Sequence, residues 1–267
     1  MSDSQVVVEY AISRDGTPIG FRRSGHGPGL VLVHGTSADA SRWDPLLPRL
    51  EPAVTVYAVD RRGRGASGDG PDYSLAAEAD DLVAVIEAAG APVDVLGHSY
   101  GALCAVEAAR LTTGIRRLVL YEPAVRDLAP PGFTDRLEEL ARAGRREDVV
   151  TMLLRDLAGL TEKQLTEVRA LPSWAGRVAA AHTVAREQRA EEGYRFQPAR
   201  FAGVKVPTLM LTGTESPPEM QESTSLLASA LPDVRVRRLA GQGHAAMQTA
   251  PDLFLREVLG FLQADRV

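Results

Sequence analysis

Short apolar runs separated by polar, glycine-marked turns alternate along this chain with stretches whose apolar positions recur at helical spacing. Residues 30–33, 54–59, 93–96, 115–121 and 206–211 are apolar on both faces over most of their length, as central strands buried from both sides must be. Residues 6–12 and 18–23, joined by Arg14-Asp15-Gly16, read as an opening hairpin and an antiparallel edge. Residues 234–239 read as the last strand. Between strands, residues 73–89 place Leu82, Val85 and Ile86 on one helical face, and residues 252–262 form an amphipathic helix with Pro251 suited to its first turn. This alternation predicts an α/β fold: a mostly parallel, eight-stranded sheet with helices on both faces.

Residues 124–204 break the rhythm. They hold no convincing strand, and segments 133–143, 146–157, 161–171 and 174–191 each read as one helix. Thr161-Glu162-Lys163-Gln164 fits a capping box. A helical block between two sheet strands is expected to lie as a cap over the carboxyl edge of the sheet. The expected organisation is therefore a core of residues 1–123 and 205–267 and a cap of residues 124–204. Ala129-Pro130-Pro131-Gly132 is the expected entry into the cap.

Composition narrows the function classes. An apolar share of 45% suits a globular core, and a net charge of -5 gives no reason to expect nucleic acid as a partner. Met1-Ser2-Asp3-Ser4-Gln5 lacks the basic and apolar regions of a secretory leader. No apolar stretch approaches the ~18 residues of a membrane span. The expectation is a cytoplasmic protein that engages no membrane. The single cysteine, Cys104, lies in an apolar helix and reads as a core residue, so no intrachain disulfide can form.

The chemistry concentrates in Gly97-His98-Ser99-Tyr100-Gly101. It sits between the apolar run ending at Leu96 and a good helix former starting at Ala102, the context of a nucleophile elbow. Such a turn strains the serine backbone and aims its hydroxyl outward, and the flanking glycines let neighbouring backbone pass close by. A serine hydroxyl needs a base. Among His26, His34, His98, His182 and His244, only His244 follows the last strand in a glycine-rich loop, Gly241-Gln242-Gly243-His244, at the carboxyl edge of the sheet. An oxyanion needs N–H donors. The Tyr100 amide, just after the serine, and the Thr36 amide, in His34-Gly35-Thr36 after the third strand, are the natural pair.

On these residues the chain resembles the α/β-hydrolase superfamily, and specifically its capped members. The likeness rests on His34-Gly35, on Asp60-Arg61-Arg62-Gly63-Arg64-Gly65 after strand four, on the elbow, and on Gly243-His244. It implies the α/β-hydrolase fold, a serine–acid–histidine triad, no cofactor and no metal, and hydrolysis of an acyl bond in a small-molecule ester or lactone. It also implies that the Asp60 loop is mainly scaffold. A serine nucleophile argues against epoxide hydrolysis and dehalogenation, which use an aspartate in this superfamily.

The acid has two candidates. Many members carry an aspartate three residues after the glycine that follows strand seven, and here Ser216 stands there, with Glu215 one residue short. A second solution places the acid directly after strand six, where Glu122 stands. Glu122 is preferred because it sits at a rigid strand end. That layout resembles fungal zearalenone-type lactonases. Trp174 in the cap and Trp43 in the core are candidate pocket walls. Carbon–carbon or thioester hydrolysis, and a non-hydrolytic ligand-binding or cyclising protein on this fold, are the alternatives.

Overall fold

The computed structural model describes residues 7–264. The leader reading at Met1 to Gln5 and the predicted strand's first residue, Val6, lie outside the described residues. The strands are β1 (Val7–Ile12), β2 (Pro18–Gly25), β3 (Gly29–Val33), β4 (Thr55–Val59), β5 (Val93–His98), β6 (Ile115–Tyr121), β7 (Thr208–Gly213) and β8 (Val234–Leu239). They form one sheet in the order β1-β2-β4-β3-β5-β6-β7-β8. The strand β2 pairs antiparallel with β1 and β4, and every other pair is parallel. This is the α/β-hydrolase fold that the strand pattern and the motifs predict, with the antiparallel edge at the opening hairpin.

The helices are α1 (Leu47–Leu50), α2 (Leu75–Ala88), α3 (Tyr100–Ala108), α4 (Phe133–Arg142), α5 (Arg146–Met152), α6 (Glu162–Arg169), α7 (Trp174–Ala179), α8 (His182–Gly193), α9 (Pro218–Ala228), α10 (Ala246–Thr249) and α11 (Pro251–Gln263). Alternating strand positions divide the core. Val31, Val33, Val95, Leu118 and Leu120 face Leu82, Val85 and Ile86 of α2 and Leu103 of α3. Leu30, Leu32, Leu96, Val119 and Leu211 face Trp43 and, in α11, Phe254, Val258 and Leu262. Each such side chain contributes about 1.5–3 kcal/mol by leaving water.

Two expectations are corrected. Trp43 is not a pocket wall: it lies in a 3₁₀ helix, Ala40–Leu46, is wholly enclosed, and packs in the core. A ring with no open face cannot meet a substrate. Segment 174–191 is not one helix but two, α7 and α8, broken at the buried alanines Ala180 and Ala181. There the Thr183 N–H and hydroxyl both bond to the Ala180 carbonyl, which closes a tight turn in place of a continuous helix.

Helices α4 to α8 lie between β6 and β7 and share their own cluster, centred on Phe133, Leu137, Val149, Val150 and Val184. The capping box forms, with the Thr161 N–H donating to Gln164 Oε1 at 2.9 Å and the Gln164 N–H to Thr161 Oγ1 at 3.3 Å. Trp174 is partly buried beside this cluster, with the Arg169 guanidinium 5.8 Å from its ring.

Charge fastens this block to the sheet. Glu187 of α8 is fully buried, lies 2.8 Å from Arg61 Nη2, and also pairs with Arg64. Arg61 is held in addition by Glu78 of α2, at 2.6 Å. At the rim, Arg186 meets Asp69 at 2.8 Å. A buried carboxylate between two buried guanidiniums cannot be removed cheaply, because it leaves uncompensated charge in a low dielectric. Glu187→Ala is expected to lower unfolding free energy by about 3–5 kcal/mol in denaturant titration. A loss below 1 kcal/mol would contradict this role.

Candidate active site

The elbow follows from a β-strand forced straight into a helix. Ser99 takes φ 56° and ψ -124°, a left-handed conformation that costs a non-glycine residue about 1–3 kcal/mol. Backbone bonds on both sides hold it there. Its N–H donates to the Tyr121 carbonyl at 2.9 Å, and its carbonyl accepts from the Ala102 and Leu103 amides. At Gly101 a Cβ would lie 2.3 Å from the His34 carbonyl oxygen, so the loop after β3 runs directly over the start of α3. The Ser99 side chain is only partly buried and stands at the N-terminus of α3, where aligned peptide dipoles favour negative charge.

Glu122 follows β6 and also takes a left-handed backbone, φ 47°. Its carboxylate is buried, and its two oxygens do different things. Oε1 accepts from the Gly213 N–H at 2.7 Å, the Ser216 hydroxyl at 2.5 Å and the Thr212 hydroxyl at 3.1 Å. Oε2 lies 2.6 Å from His244 Nδ1. Burial pushes the Glu122 pKa up, but the hydrogen bond and charge of His244, with the Ser216 and Gly213 donors, outweigh it and hold the pKa below the usual value. An ionised carboxylate only accepts, so Nδ1 carries a proton towards it, and the deprotonated form of the ring presents its lone pair at Nε2. The His244 side chain is 32% exposed. Among the described residues neither His244 Nε2 nor Ser99 Oγ is engaged in a hydrogen bond, so both remain available to each other or to a ligand.

Glu215, the other candidate acid, is exposed, and among the described residues its carboxylate accepts only from Thr214 Oγ1, at 3.4 Å. The geometry brings Glu122, not Glu215, to His244. Ser216, at the position where an aspartate is common, donates to the carboxylate that faces the histidine.

The loop after β3 supplies amides. A Cβ at Gly35 would lie 2.9 Å from Ser99 Cβ, so the backbone just before Thr36 passes the elbow at contact distance. The Thr36 N–H has no intramolecular acceptor among the described residues, and the Tyr100 N–H, at the first position of α3, has none within the helix. Both are free to bind an oxyanion. His34 is an anchor: Nδ1–H donates to the Gly35 carbonyl at 2.8 Å and Nε2 accepts from the Arg61 N–H at 3.2 Å. Burial and the charges of Arg61 and Arg64 depress its pKa well below the usual range, so it stays neutral. Asp60 is likewise scaffold, accepting from the Ala40 and Ala66 amides. His182 is partly exposed at the start of α8, 3.8 Å from Asp69.

Two positioning residues escaped the sequence reading. Tyr121 donates its hydroxyl to the Gly243 carbonyl and accepts from the Ala246 N–H at 3.1 Å, which clamps both sides of His244. His98 Nε2–H donates to the His244 carbonyl at 2.9 Å, and the two rings lie 4.5 Å apart. The available signal was their placement: each is the last residue of a strand whose next residue belongs to the site.

Comparison with known proteins agrees with this architecture. The alpha/beta hydrolase family's sequence profile matches residues 30–257. The solved structure of an alpha/beta hydrolase from Sphaerobacter thermophilus superposes with a TM-score of 0.84 at 37% identity, covering 95% of this chain and 100% of that one. N-formylmaleamate deformylase of Pseudomonas putida is 41% identical over 109 residues, 39% of this chain and 41% of that protein, so the match spans well under half of the relative. 2-(Acetamidomethylene)succinate hydrolase of Mesorhizobium japonicum is 26% identical over 92% of both chains.

The pKa of Glu122 gives a signed prediction. Because folding lowers it, the group contributes stability that is fully present above the unfolded value of about 4.5 and is lost as pH falls through the lower folded value. Urea titrations between pH 6 and pH 3 should show a shallower loss of stability with acid for Glu122→Gln than for the wild type. Equal slopes would contradict the assigned direction.

Proposed function

The chain belongs to the alpha/beta hydrolase family, and we propose that it cleaves a carboxylic ester or lactone through an acyl-enzyme on Ser99. His244 Nε2 takes the Ser99 proton as Oγ attacks the substrate carbonyl. The resulting oxyanion is held by the Thr36 and Tyr100 amides at the N-terminus of α3. The imidazolium, stabilised by Glu122 on its far side, returns the proton to the leaving oxygen, and the first product departs. Water then gives a proton to His244 and attacks the acyl-enzyme. Collapse of the second intermediate returns that proton to Ser99 and releases the acid. In a lactone both products are one chain. Residues 124–204 act as the cap, and Trp174 is a candidate pocket wall.

The observation that carries this reading is the 2.6 Å pair between Glu122 Oε2 and His244 Nδ1, which orients the ring and leaves Nε2 as base. The name of the Pseudomonas putida relative favours a second reading, in which the same serine removes a formyl group. Product analysis with matched ester, lactone and N-formyl panels separates the two.

Glu122→Gln keeps the shape but favours the wrong tautomer, and kcat for an activated ester is expected to fall on the order of a thousandfold or more. Glu215→Gln is expected to retain most activity. The opposite ranking in steady-state kinetics would move the acid to Glu215.

A further inference from the structure

Buried arginines in this protein differ in what they face. Arg61, Arg62 and Arg64 each face one or more carboxylates. Arg177 of α7 does not. It is 8% exposed, and its Nη1 donates to the Ser37 carbonyl at 2.5 Å and lies 3.4 Å from the Ser37 hydroxyl. No acidic oxygen lies within ion-pair distance of it among the described residues. Its Nε is buried with no hydrogen-bond partner, and its Nη2 makes no hydrogen bond among the described residues. The unused edge, Nε and Nη2, is the pair of parallel donors that grips a carboxylate through both oxygens.

Arg42, in the Ala40–Leu46 helix, repeats the pattern. Its Nη1 donates to Gln248 Oε1 at 2.8 Å, its Nε is buried without a partner, and it too has no ion pair among the described residues. The two cations sense each other: burial, then the charge of Arg177, holds the Arg42 pKa down to about 9. Asp39 attracts both from beyond contact distance, with its Oδ1 occupied by the Ser41 N–H and hydroxyl. Arg177 is a buried cation without a contacting counter-ion, which is costly unless a ligand supplies the negative charge, and the partly buried Arg42 adds like charge nearby.

The location says which ligand. Ser37, which holds Arg177, takes a left-handed φ of 53° and directly follows Thr36, whose amide is a proposed oxyanion donor. Gln248, which holds Arg42, lies in α10, four residues past His244. Arg177 is thus held on the loop that carries Thr36, and Arg42 on the helix that follows His244. We propose that Arg177, supported by Arg42, forms a subsite for a carboxylate carried by the substrate, so that the preferred ester or lactone is an anionic one. This rests on the hydrolase reading of Ser99 and deepens it.

The test compares mono-para-nitrophenyl glutarate with the neutral para-nitrophenyl pentanoate of similar length, in wild type, Arg177→Gln and Arg177→Lys. Wild type is expected to prefer the charged ester in kcat/KM by at least about tenfold, and Arg177→Gln to lose that ratio. Arg177→Lys, which keeps the charge but not the fork, should fall between. A purely structural arginine would depress both esters alike and leave the ratio intact, which overturns the subsite. Turnover of the pentanoate with no preference for the glutarate also overturns it, while the hydrolase reading stands. If neither ester is cleaved, the hydrolase reading fails, and calorimetry with free glutarate decides the subsite alone. Binding abolished by Arg177→Gln supports it, and absence of binding to wild type overturns it.

Discussion

Three residues carry a left-handed backbone without being glycine among those described: Ser37, Ser99 and Glu122. All three follow the carboxyl ends of neighbouring parallel strands, β3, β5 and β6. Each such conformation costs about 1–3 kcal/mol, and it persists only where its surroundings over-determine it. Here they do. Ser99 is tied to Tyr121, Glu122 to Leu211 through its own N–H at 3.1 Å, and Ser37 to Arg177. The sheet concentrates strain at one edge, and the proposed nucleophile, its acid and the oxyanion loop are the residues that bear it.

The carboxylate of Glu122 transmits that order to His244. It is buried at the end of β6, and three donors at the end of β7 occupy one of its oxygens. The other is left for a single nitrogen. Tyr121 and His98 then fix the backbone on which the histidine rides. The pair between Glu122 and His244 is thus the visible end of a network that joins β5, β6, β7 and the loop after β8. The helical block between β6 and β7 joins the same network through charge, with Glu187 on the Asp60 loop and Arg177 on the loop after β3.

Much of this was legible in the chain. Runs apolar on both faces located the five central strands, because a strand covered on two sides has no polar alternation to hide it. The elbow, Glu122 and His244 were legible because glycine spacing and strand ends constrain where chemistry can sit. The missed elements lack those signals. Helix α9 buries Ser223 and Thr224 beside Leu227, so its inner face carries no apolar stripe. Trp43 looked like a pocket wall because an indole fits either place, and only packing tells them apart. The break between α7 and α8 falls in an alanine run, the best of helix formers, where tertiary contacts override propensity. Ser216 carries no charge, yet its hydroxyl supports the charge of Glu122. That role depends on a contact across β6 and β7 that no local pattern encodes.

The account stands on Ser99 as the nucleophile and His244 as its base. The most direct measurement is intact-protein and peptide mass spectrometry after incubation with a fluorophosphonate. One adduct is expected on wild type, mapped to Ser99, absent from Ser99→Ala and formed far more slowly in His244→Ala. No adduct on folded wild-type protein, or an adduct on any other residue, would contradict it.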